Sequence, residues 1–168
     1  CHCASAFLEQ GQNVLYITLE MAEERIAERI DANLLDVSMD DLHVMPKDLY
    51  ENKIEKIRNK TKGKLIIKEY PTASAHSGHF RALFNELALK KSFRPDIVFI
   101  DYLNICTSSR FKGGNISSYF LIKAIAEELR GLAVEFNVPV FSATQTTRTG
   151  FVSTDIGLED TSESFGLP

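Results

Sequence analysis

The sequence predicts an α/β fold, built on a mostly parallel sheet flanked by helices. Three observations carry it. Short apolar, β-branched runs alternate with stretches of helical periodicity. One of those runs, Ile97-Val98-Phe99-Ile100, is apolar without a break, as a central parallel strand covered on both faces must be. Each run ends at or near a polar residue, which is where an open parallel sheet binds its ligands.

Taken in order, Val14 to Leu19 reads as a buried strand bounded by Gly11-Gln12-Asn13 before it and Glu20 after it. Ala22, Ile26, Ile30 and Leu34 then recur every four residues, with Glu23, Glu24, Glu28 and Arg29 on the opposite side, so a helix with one buried face follows. A more polar helix is expected from about Asp48 to Lys60, closed by Gly63. Leu65 to Glu69 is a second strand. Phe80, Leu83, Phe84, Leu87 and Ala88 give the spacing of a core-facing helix. Arg94-Pro95 breaks that pattern ahead of the strand Asp96 to Asp101. Thr107 to Asn115 reads as a loop, and from Ile116 the residues Ile122, Ile125, Ala126, Leu129, Leu132, Ala133 and Phe136 trace a long amphipathic stripe that Asn137 ends. Val138 to Ala143 is the last strand, with Pro139 near its start, where a missing amide costs least. The chain beyond Thr146 is rich in Thr, Ser, Gly and Asp and reads as a loop.

A length of 168 residues with 44% hydrophobic and 25% charged content suits one globular domain. No apolar run approaches the roughly 18 to 20 residues of a membrane helix, and the N-terminus lacks a signal-peptide pattern, so a soluble, cytoplasmic protein is expected. Three cysteines are too few and too badly placed for a disulfide framework and are expected as thiols. With 19 basic against 23 acidic residues the formal charge is -4, which argues against a protein that coats nucleic acid through a general positive field. Any nucleic-acid contact must be local. The start at Cys1 and the stop at Pro168 read as cuts through a larger protein.

On a parallel sheet Glu20, Asp101 and Gln145 emerge at or near three strand ends on one edge. A nucleotide-hydrolysing site needs an acid to hold Mg²⁺, a second carboxylate to orient or deprotonate the attacking water, and an uncharged donor near the γ-phosphate. The three residues fit these needs, although a carboxylate beside a helix start also favours the helix dipole, and a loop glutamine often bonds only to backbone.

Leu19-Glu20-Met21, Ile100-Asp101-Tyr102-Leu103 and Ala143-Thr144-Gln145 followed by Arg148 resemble, in order and spacing, successive motifs of the DnaB-like replicative helicase family, phage-encoded members most of all. The resemblance covers nearly the whole chain. It implies a three-layer RecA-like core, incomplete at both ends, from a hexameric ATP-driven motor on single-stranded DNA. In that family Glu20 corresponds to the catalytic glutamate, Asp101 to the Walker B aspartate that holds Mg²⁺, and Gln145 to the glutamine that senses the γ-phosphate of ATP. Arg148 touches phosphate or DNA, or is a solvated loop residue. No stretch reads G-x-x-x-x-G-K-[ST], the phosphate-cradling loop. Its place is expected before Cys1, with Cys1 to Gln10 the remainder of the following helix and the arginine finger beyond Pro168, so the isolated chain is expected to be inactive.

For DNA, Ser108 to Asn115, with Arg110, Lys112, Gly113, Gly114 and Asn115, and Arg148 to Gly157, with Phe151, resemble the family's central-channel loops. A few cations and amides per subunit, repeated round a ring, can track phosphates without making each subunit basic. Both segments could instead be exposed turns. A primase and a helicase loader are the further partners implied. Two alternatives stand beside the helicase: another RecA-type ATPase such as a recombinase, and a non-catalytic DNA-binding or assembly module on the same fold. Cys1-His2-Cys3 invites a zinc reading but lacks a fourth ligand, and His76 and His79 share a helix face without a third.

Overall fold

The computed structural model describes residues 1–111 and 116–145. The elements run α1 (His2–Glu9), β1 (Val14–Thr18), α2 (Glu23–Leu35), α3 (Met39–Val44), α4 (Lys47–Lys60), β2 (Leu65–Glu69), α5 (Ser77–Lys91), β3 (Ile97–Asp101), a 3-10 turn (Leu103–Ile105), α6 (Ser118–Phe136) and β4 (Val140–Ser142). The four strands form one sheet in the order β2-β1-β3-β4, every pair parallel. The expected α/β sheet flanked by helices is what the chain forms.

Alternation along the strands sorts side chains between two cores. Leu15 and Ile17 of β1 and Val98 and Ile100 of β3 join Phe80, Leu83, Phe84 and Leu87 of α5 and Ile122, Ile125, Leu129 and Leu132 of α6. Val14 and Tyr16 of β1 and Ile97 of β3 face the other way, onto Ala4 and Leu8 of α1 and Ile26 and Ile30 of α2. β1 is therefore buried along its whole length.

Element ends differ from the sequence expectations for local reasons. β1 stops at Thr18 because the Thr18 hydroxyl accepts from the Met21 amide at 3.0 Å and donates to the Met21 carbonyl at 2.9 Å, turning the chain before α2. α4 ends at Lys60 with Thr61 extended, so Gly63 does not close it. Gly63 serves a close approach instead: a Cβ there would sit 2.5 Å from the Gln12 carbonyl oxygen and 2.9 Å from that of Leu8. Asn137 does end α6, in the left-handed conformation at φ 49°. The cap also draws in Val138, whose amide donates to the Ala133 carbonyl at 3.0 Å, and β4 begins only at Val140. α3 was not expected; Ser38 caps it, accepting from the Asp41 amide at 3.1 Å. No helix among the described residues is long and apolar enough to cross a membrane.

Candidate active site at the carboxyl edge of the sheet

Parallel pairing brings the ends of β1, β3 and β4 to one edge. In the register of β1 and β3, Thr18 lies beside Asp101, and the Leu19 amide donates to the Asp101 carbonyl at 3.0 Å. Glu20 follows immediately and is exposed. Across β3, the Leu103 amide donates to the Ala143 carbonyl at 3.1 Å, which places Thr144 and Gln145 over the same edge. The structure thus gathers all three expected residues at the ends of adjacent strands.

Two tyrosines bind this edge together. The Tyr16 hydroxyl donates to Asp101 Oδ2 at 2.7 Å, and Gln145 Nε2 donates to the Tyr102 hydroxyl at 2.9 Å. Burial, reinforced by the hydrogen bond and the negative charge of Asp101, pushes the Tyr16 phenol above its usual range, so it stays protonated and can only donate to the carboxylate. Thr144 Oγ1 donates to Asn104 Oδ1 at 2.9 Å, tying the chain after β4 to the turn after β3. Sequence reasoning passed over Tyr16 and Tyr102. The signal for Tyr16 was present: a phenol inside a wholly buried strand requires a polar partner for its hydroxyl.

Of the expected DNA contacts, Arg110 is described and is exposed. Arg110 donates to Glu127 Oε2 on α6 at 2.5 Å. Lys112, Gly113, Gly114, Asn115, Arg148 and Phe151 lie outside the described residues.

Neither metal suggestion made by histidines or cysteines gathers a ligand set; among the described residues no group of three or more His, Cys, Asp or Glu could hold an ion. His2 Nδ1 lies 3.0 Å from Asn33 Oδ1. His76 and His79 have a structural role. His76 caps α5, its Nδ1 accepting from the Gly78 amide at 3.0 Å, while His79 Nδ1 accepts from the His76 amide at 3.2 Å.

The family model for the DnaB-like helicase C-terminal domain matches residues 2–154. The chain belongs to that family. The DnaB-like chain is 49% identical over 172 residues to a DnaB-like replicative helicase of Enterobacteria phage T4, an alignment covering 100% of this chain and 36% of the phage protein. It is 35% identical over 144 residues to a probable plasmid replicative DNA helicase of Chlamydia psittaci, covering 84% of this chain and 30% of that one. Among solved structures, a DnaB-like replicative helicase described with its interactions with primase superposes with a TM-score of 0.73 at 20% identity, over 98% of this chain and 39% of its own. A solved ATPase domain does so with the same score and identity, over 96% of this chain and 57% of its own. At that identity the likeness establishes the shared RecA-like fold. The DnaB-like chain thus spans about a third of the length of these curated relatives, and its membership favours the helicase branch over the recombinase-type alternative.

Proposed function

We propose that this chain is a partial motor domain of a replicative DNA helicase, which couples ATP hydrolysis to movement along single-stranded DNA and to duplex unwinding. The observation that carries the reading is the carboxyl edge itself, where Glu20, the Tyr16-bound carboxylate of Asp101 and the Tyr102-bound amide of Gln145 stand at the ends of three neighbouring parallel strands.

The donor set fits magnesium nucleotide better than a resident metal. Mg²⁺ in nucleotide sites takes one or two carboxylates and completes its shell with water and phosphate oxygens, so Asp101 suffices where the described residues form no protein-only cage. When bound, the ion neutralises the charge that develops on the phosphates. Tyr16 fixes the Asp101 carboxylate through Oδ2, and Asp101 so held would bind the ion. Glu20, exposed just past its strand, orients and deprotonates the attacking water, and Gln145 registers the γ-phosphate from a position that Tyr102 supports. Arg148 contacts phosphate or DNA, while Arg110, Lys112, Gly113, Gly114, Asn115 and Phe151 track the strand.

No phosphate-cradling motif occurs within these residues, so hydrolysis belongs to the complete protein, acting as a hexamer in the cytoplasm of a bacterial host. A primase and a helicase loader are its further partners; one similar structure is described with its interactions with primase. In the complete protein, Glu20→Gln keeps ATP binding and lowers DNA-stimulated hydrolysis about 100-fold or more, the scale of a lost general base. Undiminished turnover in that variant would remove Glu20, and with it the arrangement argued above.

A further inference from the structure

Glu128 on α6 is engaged more heavily than any helix-surface carboxylate needs to be. Its Oε1 accepts from Ser108 Oγ at 2.5 Å and from the Ser109 amide at 3.0 Å. Its Oε2 accepts from Ser77 Oγ at 2.6 Å, from Ser109 Oγ at 2.8 Å and, at 3.1 Å, from the same Ser109 amide. Ser77 and Ser108 are both buried. One carboxylate therefore joins three separate pieces of chain: the first residue of α5, the middle of α6, and the segment that leaves the carboxyl edge after β3. Burial acts to raise the Glu128 carboxyl, yet the hydrogen bonds from Ser108, Ser77 and Ser109 outweigh it and hold the group at about 2. It remains a charged acceptor at any working pH.

The anchored segment continues into Arg110, whose amide donates to Ser108 Oγ at 3.2 Å and whose guanidinium meets Glu127, the neighbour of Glu128. On the upstream side the Thr107 amide donates to the Ala75 carbonyl at 2.8 Å. From Asp101 to Arg110 the chain is thus tied at both flanks, and Glu128 makes the final attachment before the first of the cations assigned to DNA. An arm that is rigid up to its last attachment presents that cation in one place. A strand-tracking contact requires this, because a free loop must be ordered anew each time it binds.

We propose that Glu128 is a positioning residue that fixes Ser108 to Arg110 for contact with single-stranded DNA, while Glu127 competes with the DNA phosphate for Arg110. The inference rests on the motor reading above and extends it to two residues on α6 with opposite effects. Removing Glu128 frees the arm and weakens DNA engagement. Removing the charge of Glu127 releases Arg110 from an exposed ion pair and strengthens it.

The test measures ATP hydrolysis by the complete protein against oligo-dT, reading the concentration that gives half-maximal stimulation. For Glu128→Ala that concentration rises about tenfold, the effect of one lost charge-assisted hydrogen bond, with a smaller change in the KM for ATP. Glu128→Gln keeps an acceptor oxygen for the Ser109 amide and gives an intermediate rise, which keeps the test available if the alanine variant does not fold. For Glu127→Gln the concentration falls about two- to fourfold, the range expected of an exposed ion pair. Opposite shifts support the proposal. A melting temperature lowered by Glu128→Ala or Glu128→Gln with the half-maximal concentration within twofold of wild type overturns it, as do shifts of the same sign for Glu127 and Glu128. Wild-type protein that oligo-dT does not stimulate would fail the motor reading itself, a result distinct from either.

Discussion

Tyr16 and Asp101 are 85 positions apart in sequence and 2.7 Å apart at their oxygens. The hydroxyl sits at the end of a ring stacked on Phe99, with centroids 5.9 Å apart, and it donates to Asp101 while accepting from the Cys1 thiol at 4.0 Å. Tyr16→Phe removes that donor and leaves Asp101 Oδ2 without it. The expected cost is about 1.5 to 3 kcal/mol of stability, the range for a hydrogen bond to a charged group, measured by denaturant unfolding of the complete protein. A loss below about 0.5 kcal/mol would mean that water replaces the phenol at no penalty. The placement of Glu20, Asp101 and Gln145 along one sheet edge was legible in the sequence because each lies at or shortly past the end of a strand whose apolar run is written in consecutive residues. Tyr16, Tyr102 and Glu128 were not, because their partners are chosen by pairing across the sheet and across helices. Nothing next to Glu128 in sequence indicates Ser77 or Ser108.

At the scale of elements, the apolar stripe of α5 was readable from Phe80 onward, whereas its beginning was not. A histidine is an uncommon helix cap, and His76 acts as one only because its Nδ1 carries a lone pair for the Gly78 amide. Burial, and then the nearby His79, lower the His76 pKa below its usual value, with Glu128 opposing. In the window between that lowered value and the ordinary one near 6.5, the unfolded chain binds the proton and the folded chain does not. The cap's contribution is therefore full above about 6.5 and is lost as pH falls through the window. Unfolding midpoints of the wild type should drop more steeply from pH 7 to pH 5 than those of His76→Asn, which caps without titrating. Parallel pH profiles for the two proteins would refute this. The insertion between α2 and β2 was half legible. α4 showed as a polar helical stretch, but α3 is too short to display a period and depends on the Ser38 cap and on its packing beside α2.

For the molecule as a whole, alternation in β1 and β3 distributes apolar side chains to both faces, and the helix stripes supply the covers. That division was legible in outline, since uninterrupted apolar strands with helices between them admit few other layers. The strand order was not, because one sequence of alternating elements fits several orders. Leu132 is fully buried in the larger core, where α6 covers the sheet. Leu132→Ala should cost about 2 to 5 kcal/mol, seen as a lower denaturant midpoint with an unchanged slope; a cost under about 1 kcal/mol would show that α6 collapses into the space. The all-parallel register has a kinetic side as well. Residue 14 must find partners near 65 and 97, and residue 98 one near 140, with no hairpin to start any of these pairings. Long loops have to close before the first strand pair returns any stabilisation, so refolding belongs to the slower, high-contact-order class. Until the crossover helices dock, β1 is an apolar ribbon with both edges open, the state in which this chain is most exposed to self-association.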